Sequence, residues 1–210
     1  FVTALTGNPS GHGSLLFEQA RAREVLGVAT ADLSQLARAQ EVLEHAAVYR
    51  EATRPTVYAE TCEERARIAL AQAHLTPRTT AREPRLQQAG EVVRDAQRVL
   101  RAAAASPRAI ARLDVLAGEI QIELGVTLRS RAAFDSAEAA FVRVEPVLLP
   151  SDLPRPAALL LVQRARLASA LGDSTTARTR LDHALEIAGA PRLDSLVILQ
   201  ASALRTSRRR

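Results

Sequence analysis

Nine times along this chain, apolar side chains recur every three or four residues and then stop at a proline, a glycine or a short polar break. That period puts the apolar side chains on one face of an α-helix, so each run predicts an amphipathic helix that must bury its stripe against another. The runs cover residues 15–31, 33–52, 57–75, 85–105, 107–128, 132–149, 157–171, 174–188 and 193–204. Leu36, Ala39, Leu43 and Ala46 form the stripe of the second, Ala89, Val93, Ala96 and Leu100 that of the fourth, and Leu113, Leu116, Ile120 and Leu124 that of the fifth. Ser106 followed by Pro107 is a helix start: the serine can cap free amides and the proline fits the first turn. Gly189 with Pro191 is a stop signal.

No stretch rich in Val, Ile, Thr or Tyr alternates long enough to propose a strand, and aromatic residues are only 3% of the 210. Ala, Leu, Arg, Glu and Gln dominate instead, all strong helix formers. The expectation is therefore an all-α chain of about nine helices whose mostly short loops make sequence neighbours pack antiparallel. Residues 1–14, with Gly7, Pro9, Gly11 and Gly13, read as a flexible N-terminal segment. The helical domain is expected over 15–204, with pairs at about 15–53, 56–105, 107–149 and 154–190, a closing helix at 193–204 and a basic tail at 205–210.

Composition removes several kinds of chemistry. All 28 basic residues are arginine, so neither a Schiff-base lysine nor a phosphate-cradling lysine exists here. The abundance of Arg, Ala, Leu and Pro fits a GC-rich bacterial genome. The net charge of +5 owes much to Arg205, Arg208, Arg209 and Arg210. Elsewhere arginines interleave with acids and stacking aromatics are scarce, so no specific nucleic acid is expected. Cys62 is the single cysteine, which excludes an internal disulfide and an all-cysteine zinc site. No run approaches the ~20 apolar residues of a membrane span. A cytoplasmic location is expected, with a periplasmic one left open because the chain begins at Phe1 rather than Met.

The candidates for chemistry are weak. His12 lies in GNPSGHGS, which lacks the lysine of a phosphate loop and a preceding strand. Glu41 and His45 stand one turn apart but nothing completes a metal-ligand set. No HExxH motif, Cys–His pair or isolated pair of carboxylates on an apolar stretch appears. The expectation is no enzyme, no catalytic residue, no metal and no cofactor.

A longer regularity joins the helices in pairs. A small residue is followed twelve positions on by Ala, then by a bulky apolar residue and a smaller one: Gly27, Ala39, Leu43, Ala46; Gly125, Ala137, Phe141, Val144; and Ala165, Ala177, Leu181, Ala184. A helical hairpin explains it, the small residue letting the second helix approach closely. With IELGVTLRSRAAFDSAEAAFVRV as its best copy, the pattern resembles the tetratricopeptide repeat family. Leu124–Gly125, Leu128, Phe134–Asp135, Ala137 and Phe141 carry the resemblance. The marker alanines, with Ala89 as a degenerate second copy, lie 50, 48 and 40 apart, longer than the family's ~34-residue repeat.

The resemblance implies an antiparallel helix-pair α-solenoid; a non-repeat helical bundle is the other arrangement the helices allow. It also implies a protein-interaction scaffold that takes a peptide or helix of a partner in a concave groove. Transferred to this chain, that groove comprises Glu119, Ile122, Glu123, Val126 and Arg129, continued by Val162, Gln163 and Arg166. The expected partner is a protein or peptide, with a homodimer possible; the alternative is a sensor or linker segment of a larger bacterial transcriptional regulator.

Overall fold

The computed structural model describes residues 9–50, 54–77, 79–149 and 154–188. They form eight α-helices and no strand: α1 Pro9–Thr30, α2 Leu33–Arg50, α3 Pro55–Leu75, α4 Thr79–Ala102, α5 Pro107–Leu128, α6 Arg131–Leu148, α7 Pro154–Ala170 and α8 Ser174–Ala188. The closing helix expected at 193–204 and the basic tail at 205–210 lie outside the described residues. No described helix is long and apolar enough to cross a membrane. The chain divides into two compact units, 1–113 and 114–210, with the boundary inside α5.

One turn chemistry joins the hairpins. α1, α4, α5 and α7 each end on a residue in the left-handed region: Ala31 (φ 53°), Ala104 (φ 48°), Arg129 (φ 52°) and Gly172 (φ 85°). In each case the next amide donates back across the turn: Asp32 to the Gly27 carbonyl, Ala105 to Leu100, Ser130 to Gly125 and Asp173 to Ala168, at 2.9–3.0 Å. This bond occupies a carbonyl that the helix end leaves without a partner. In three of the turns that donor residue also caps the next helix. Asp32 Oδ1 accepts from the Ser34 amide at 2.8 Å, Ser130 Oγ from Ala133 at 3.3 Å, and Asp173 Oδ1 from Thr176 at 3.0 Å. Ser106 Oγ accepts from Ala109 at 3.3 Å, as its place before Pro107 predicts. Hydrogen bonds from the Ser34 side chain and amide, and from the Thr176 side chain and amide, hold the Asp32 and Asp173 carboxyls below the usual aspartate range.

Glycine sets the distance within two hairpins. A Cβ at Gly27 would stand 2.9 Å from Leu36, and one at Gly125 would stand 2.6 Å from Cδ1 of Phe134. Seven residues earlier on α5, Gly118 faces Phe141, seven residues later on α6, which is the register of antiparallel helices. The α1–α2 and α5–α6 hairpins thus carry one plan in one register: Gly27, Ala31, Asp32 and Leu36 in the first, Gly125, Arg129, Ser130 and Phe134 in the second. The last hairpin departs from it. Aligned on its turn, the residue equivalent to Gly27 is Ala168 rather than Ala165. Ala165 instead lies in a core with Ala158, Leu161, Val162, Leu181 and Ala184.

Two expected breaks are helical. α1 begins at Pro9, inside the segment 1–14 that the sequence suggests is flexible. Its glycines are tolerated because the helix packs: Gly13 lies against Tyr49 and Arg50 of α2, and His12 meets the Tyr49 ring edge-on at 5.0 Å. α4 begins at Thr79, within the expected loop 76–84, and contains Pro84. The cause is Arg82, whose Nε donates to the carbonyls of Ala73 and Thr76 at 2.9 Å, while Nη2 donates to His74 at 3.2 Å. One guanidinium closes the end of α3 and fixes the start of α4. Arg82→Ala should therefore cost about 1–2 kcal/mol, as lost charged hydrogen bonds do. Hydrogen exchange should show the fraying in the first turn of α4 and the last of α3, leaving α1 unaffected.

A buried arginine ties the first three helices. The Arg50 guanidinium stands 4.0 Å over the Phe17 ring, donates from Nε to Thr61 Oγ1 at 3.2 Å, and pairs through Nη2 with Glu60 at 3.0 Å. Phe17, Ala20, Ala39, Leu43, Ala46 and Ile68 form the apolar core beneath it.

Candidate interaction site

The eight groove residues expected from sequence all lie in the unit 114–210, on α5 and α7 or, for Arg129, in the turn after α5, and they meet different fates. Glu119 and Glu123 stand one turn apart on α5, on the face opposed by α7. Arg166 reaches both: Nη1 pairs with Glu119 at 2.7 Å and Nη2 with Glu123, while Nη1 also donates to Gln163 Oε1 at 2.9 Å. These side chains are only 13–21% exposed. The acidic and basic members of the expected strip are thus engaged with one another.

Three members are not on an open surface. Ile122 is 2% exposed, Val162 0% and Gln163 2%. Ile122 falls on the α5 stripe shared by Gly118 and Gly125, which faces α6, so packing claims it. Val162 belongs to the core that α7 makes with Leu181 and Ala184 of α8. Gln163 is buried where it accepts from Arg166. At these three positions of the expected groove the side chains are packed in the fold and do not face solvent. Val126, 51% exposed, and Arg129 are the two groove residues left on the surface.

A neighbouring charge cluster locks the other helices of this unit. Arg164 pairs with Glu145 at 2.6 Å and Glu138 at 2.9 Å, and Arg180 donates to the Arg164 carbonyl at 3.1 Å. Burial and then the Arg164 charge pull Arg180 below the usual arginine range. Arg143 pairs with buried Asp114 at 3.1 Å.

In the unit 1–113, sequence reading missed a carboxyl network. Glu64 of α3 is 6% exposed and meets Glu24 of α1; its Oε1 is buried with no hydrogen-bond partner. Arg21 approaches Oε2 at 3.9 Å. Burial, and then the Glu24 charge, push the Glu64 carboxyl up to about 7, and burial also raises Glu24. Glu63, one residue earlier, has the opposite fate. Burial disfavours its charge, but Arg67 and Arg112, each at 2.8 Å, outweigh that and hold it below the usual glutamate range. Residues 24 and 64 come from separate helices, so no local spacing could announce the pair.

Beside this network, Ala59, Glu60, Glu63, Leu100, Arg112 and Leu113 line a groove of about 120 Å³. That is well under the ~300–1,000 Å³ of a small-molecule site, though it suits a single side chain. Among the described residues no three of His, Cys, Asp and Glu converge as metal ligands.

The surface carries large apolar side chains near two hairpin ends. Val25, Leu26 and Val28 on the last turns of α1 are 62%, 49% and 53% exposed, and Val126 and Leu128 on α5 are 51% and 43%. Val28 and Val126 hold the same register, three residues before the left-handed Ala31 and Arg129. No family model, no curated protein and no solved structure matches the chain.

Proposed function

We propose that the chain is a helix-pair interaction module, of the tetratricopeptide-like kind, that docks a protein partner on the outward ends of its hairpins. The observation that carries this reading is the exposed valine at one register of two equivalent hairpins. Valine is a mediocre helix former, and at an exposed helical position it gains nothing from the fold. Bound partners supply what it lacks, since apolar side chains at an interface centre are desolvated on association. The chain's charged side chains favour the same reading, because pairs such as Arg166 with Glu119 and Glu123 are spent internally. Each unit therefore offers its own aliphatic contact, near Val25 and Val28 in the first and near Val126 and Leu128 in the second, rather than the groove arginine.

Site-specific photo-crosslinking in the source cells tests it. Probes at Val28 and at Val126 should each capture a discrete protein, identified by mass spectrometry, whereas a probe at Arg98, whose side chain is 78% exposed, should not. Val28→Asp and Val126→Asp should each abolish capture at their own site and leave helical content unchanged. Equal capture from all three positions, or none at the valines, would overturn the reading.

A further inference from the structure

We propose that the Glu24–Glu64 carboxyl pair is a proton-operated latch between α1 and α3, closed by one shared proton and loosened when that proton leaves. Glu64 is 6% exposed, its Oε1 lies buried without a partner, and the carboxyl it meets belongs to another helix. Two carboxylates in such a place cannot both ionise cheaply, whereas one proton between them turns repulsion into a hydrogen bond.

The surrounding charges do not cancel the effect. From α1 come Arg21, 3.9 Å from Oε2, and Glu24 itself. From α3 comes Arg67, which also serves Glu63 at 2.8 Å, as does Arg112 at the start of α5. From α2, Gln35 accepts from Arg23 of α1 and Gln40 accepts from Gln72 of α3. α4 brings Arg82 and Arg85 only to the far end of α3, at Thr76. Arg67 is thus shared among Glu63, Glu24 and Glu64, Arg21 stands at 3.9 Å, and burial with the Glu24 charge outweighs both at Glu64.

The sign follows from linkage. Glu64 binds its proton more tightly folded than unfolded, so its contribution is complete below about 4.5. It falls as pH rises toward about 7, and is absent above that. The contact that weakens is the one between α1 and α3. A change from mildly acidic to mildly alkaline conditions would therefore loosen α1 against α3.

Carboxyl ¹³C titration of the full chain should show Glu64 losing its proton near neutrality. Amide exchange of α1, corrected for intrinsic base catalysis, should show opening that rises about tenfold or more between pH 5 and pH 8. Glu64→Gln, which keeps a neutral hydrogen-bonding group, should flatten that rise; if it fails to fold, Glu24→Gln serves the same purpose. Both carboxyls titrating below pH 5 would overturn the proposal. So would a glutamine variant whose opening follows the wild-type pH profile.

Discussion

Arg166→Ala is expected to remove about 3 kcal/mol of stability, more than any surface charge change elsewhere in the chain. The guanidinium pairs with Glu119 at 2.7 Å and with Glu123, and all three side chains are 13–21% exposed. Removing an exposed arginine would cost at most about 1 kcal/mol, because water and salt screen the partner left behind. Here the two abandoned carboxylates face each other one turn apart on α5, away from most solvent. The penalty is chiefly theirs, since breaking a buried ion pair leaves an uncompensated charge.

That origin can be isolated. In the triple variant Arg166→Met, Glu119→Gln, Glu123→Gln no charge is stranded, and stability should return to within about 1 kcal/mol of wild type. Urea denaturation of the wild type and the two variants measures both changes. A loss under about 0.5 kcal/mol for Arg166→Ala would mean that the cluster behaves as a solvated surface pair.

The residues of this cluster were visible in the sequence, but their relation was not. Apolar stripes can be read because a helix imposes its period locally: Leu113, Leu116 and Ile120 are buried as their spacing predicts, and α5 and α8 keep their expected bounds. Capping is local too, which is why Ser106 before Pro107 could be identified. What stayed hidden depends on which helix lies opposite. Ile122 was assigned to an open groove by transferred geometry, yet it shares a stripe with Gly118 and Gly125. Pro84 looks like a break, yet Arg82 and Arg85 on either side of it reach back to the end of α3.

The charge pairs show the same limit. Glu24 and Glu64 are unremarkable on their own helices and become a proton-sharing pair only when α1 packs on α3. Arg166 and its glutamates lie over forty residues apart in sequence, as their partners at 119 and 123 show. The hairpin spacing was legible where two hairpins share a register, at Gly27 and Gly125. It misled at Ala165, because the last turn falls three residues later on the same spacing.

Gly118→Ala combined with Gly125→Ala is the second large effect, and its sign opposes propensity. Alanine is the better helix former by about 1 kcal/mol per site, so on α5 alone the two changes should stabilise. In the hairpin each added methyl meets a ring. At Gly118 it would lie 2.6 Å from Cζ of Phe141, which is fully buried, and at Gly125 it would lie 2.6 Å from Cδ1 of Phe134. Aromatic rings cannot swing aside like the end of a flexible chain, so α6 must move outward and open the core around Ala137 and Val144. Overpacking of this kind costs about 1–3 kcal/mol per site, leaving a net loss of about 2 kcal/mol for the pair. Thermal unfolding followed by circular dichroism should show a lowered midpoint. Phe141→Leu would cost stability in the wild type but should recover part of the loss in the Gly118→Ala background, because leucine vacates the ring's space. If instead the double alanine variant gains stability, α5 and α6 do not approach as closely as the glycines allow, and the close hairpin on which both equivalent pairs are built would have to be abandoned.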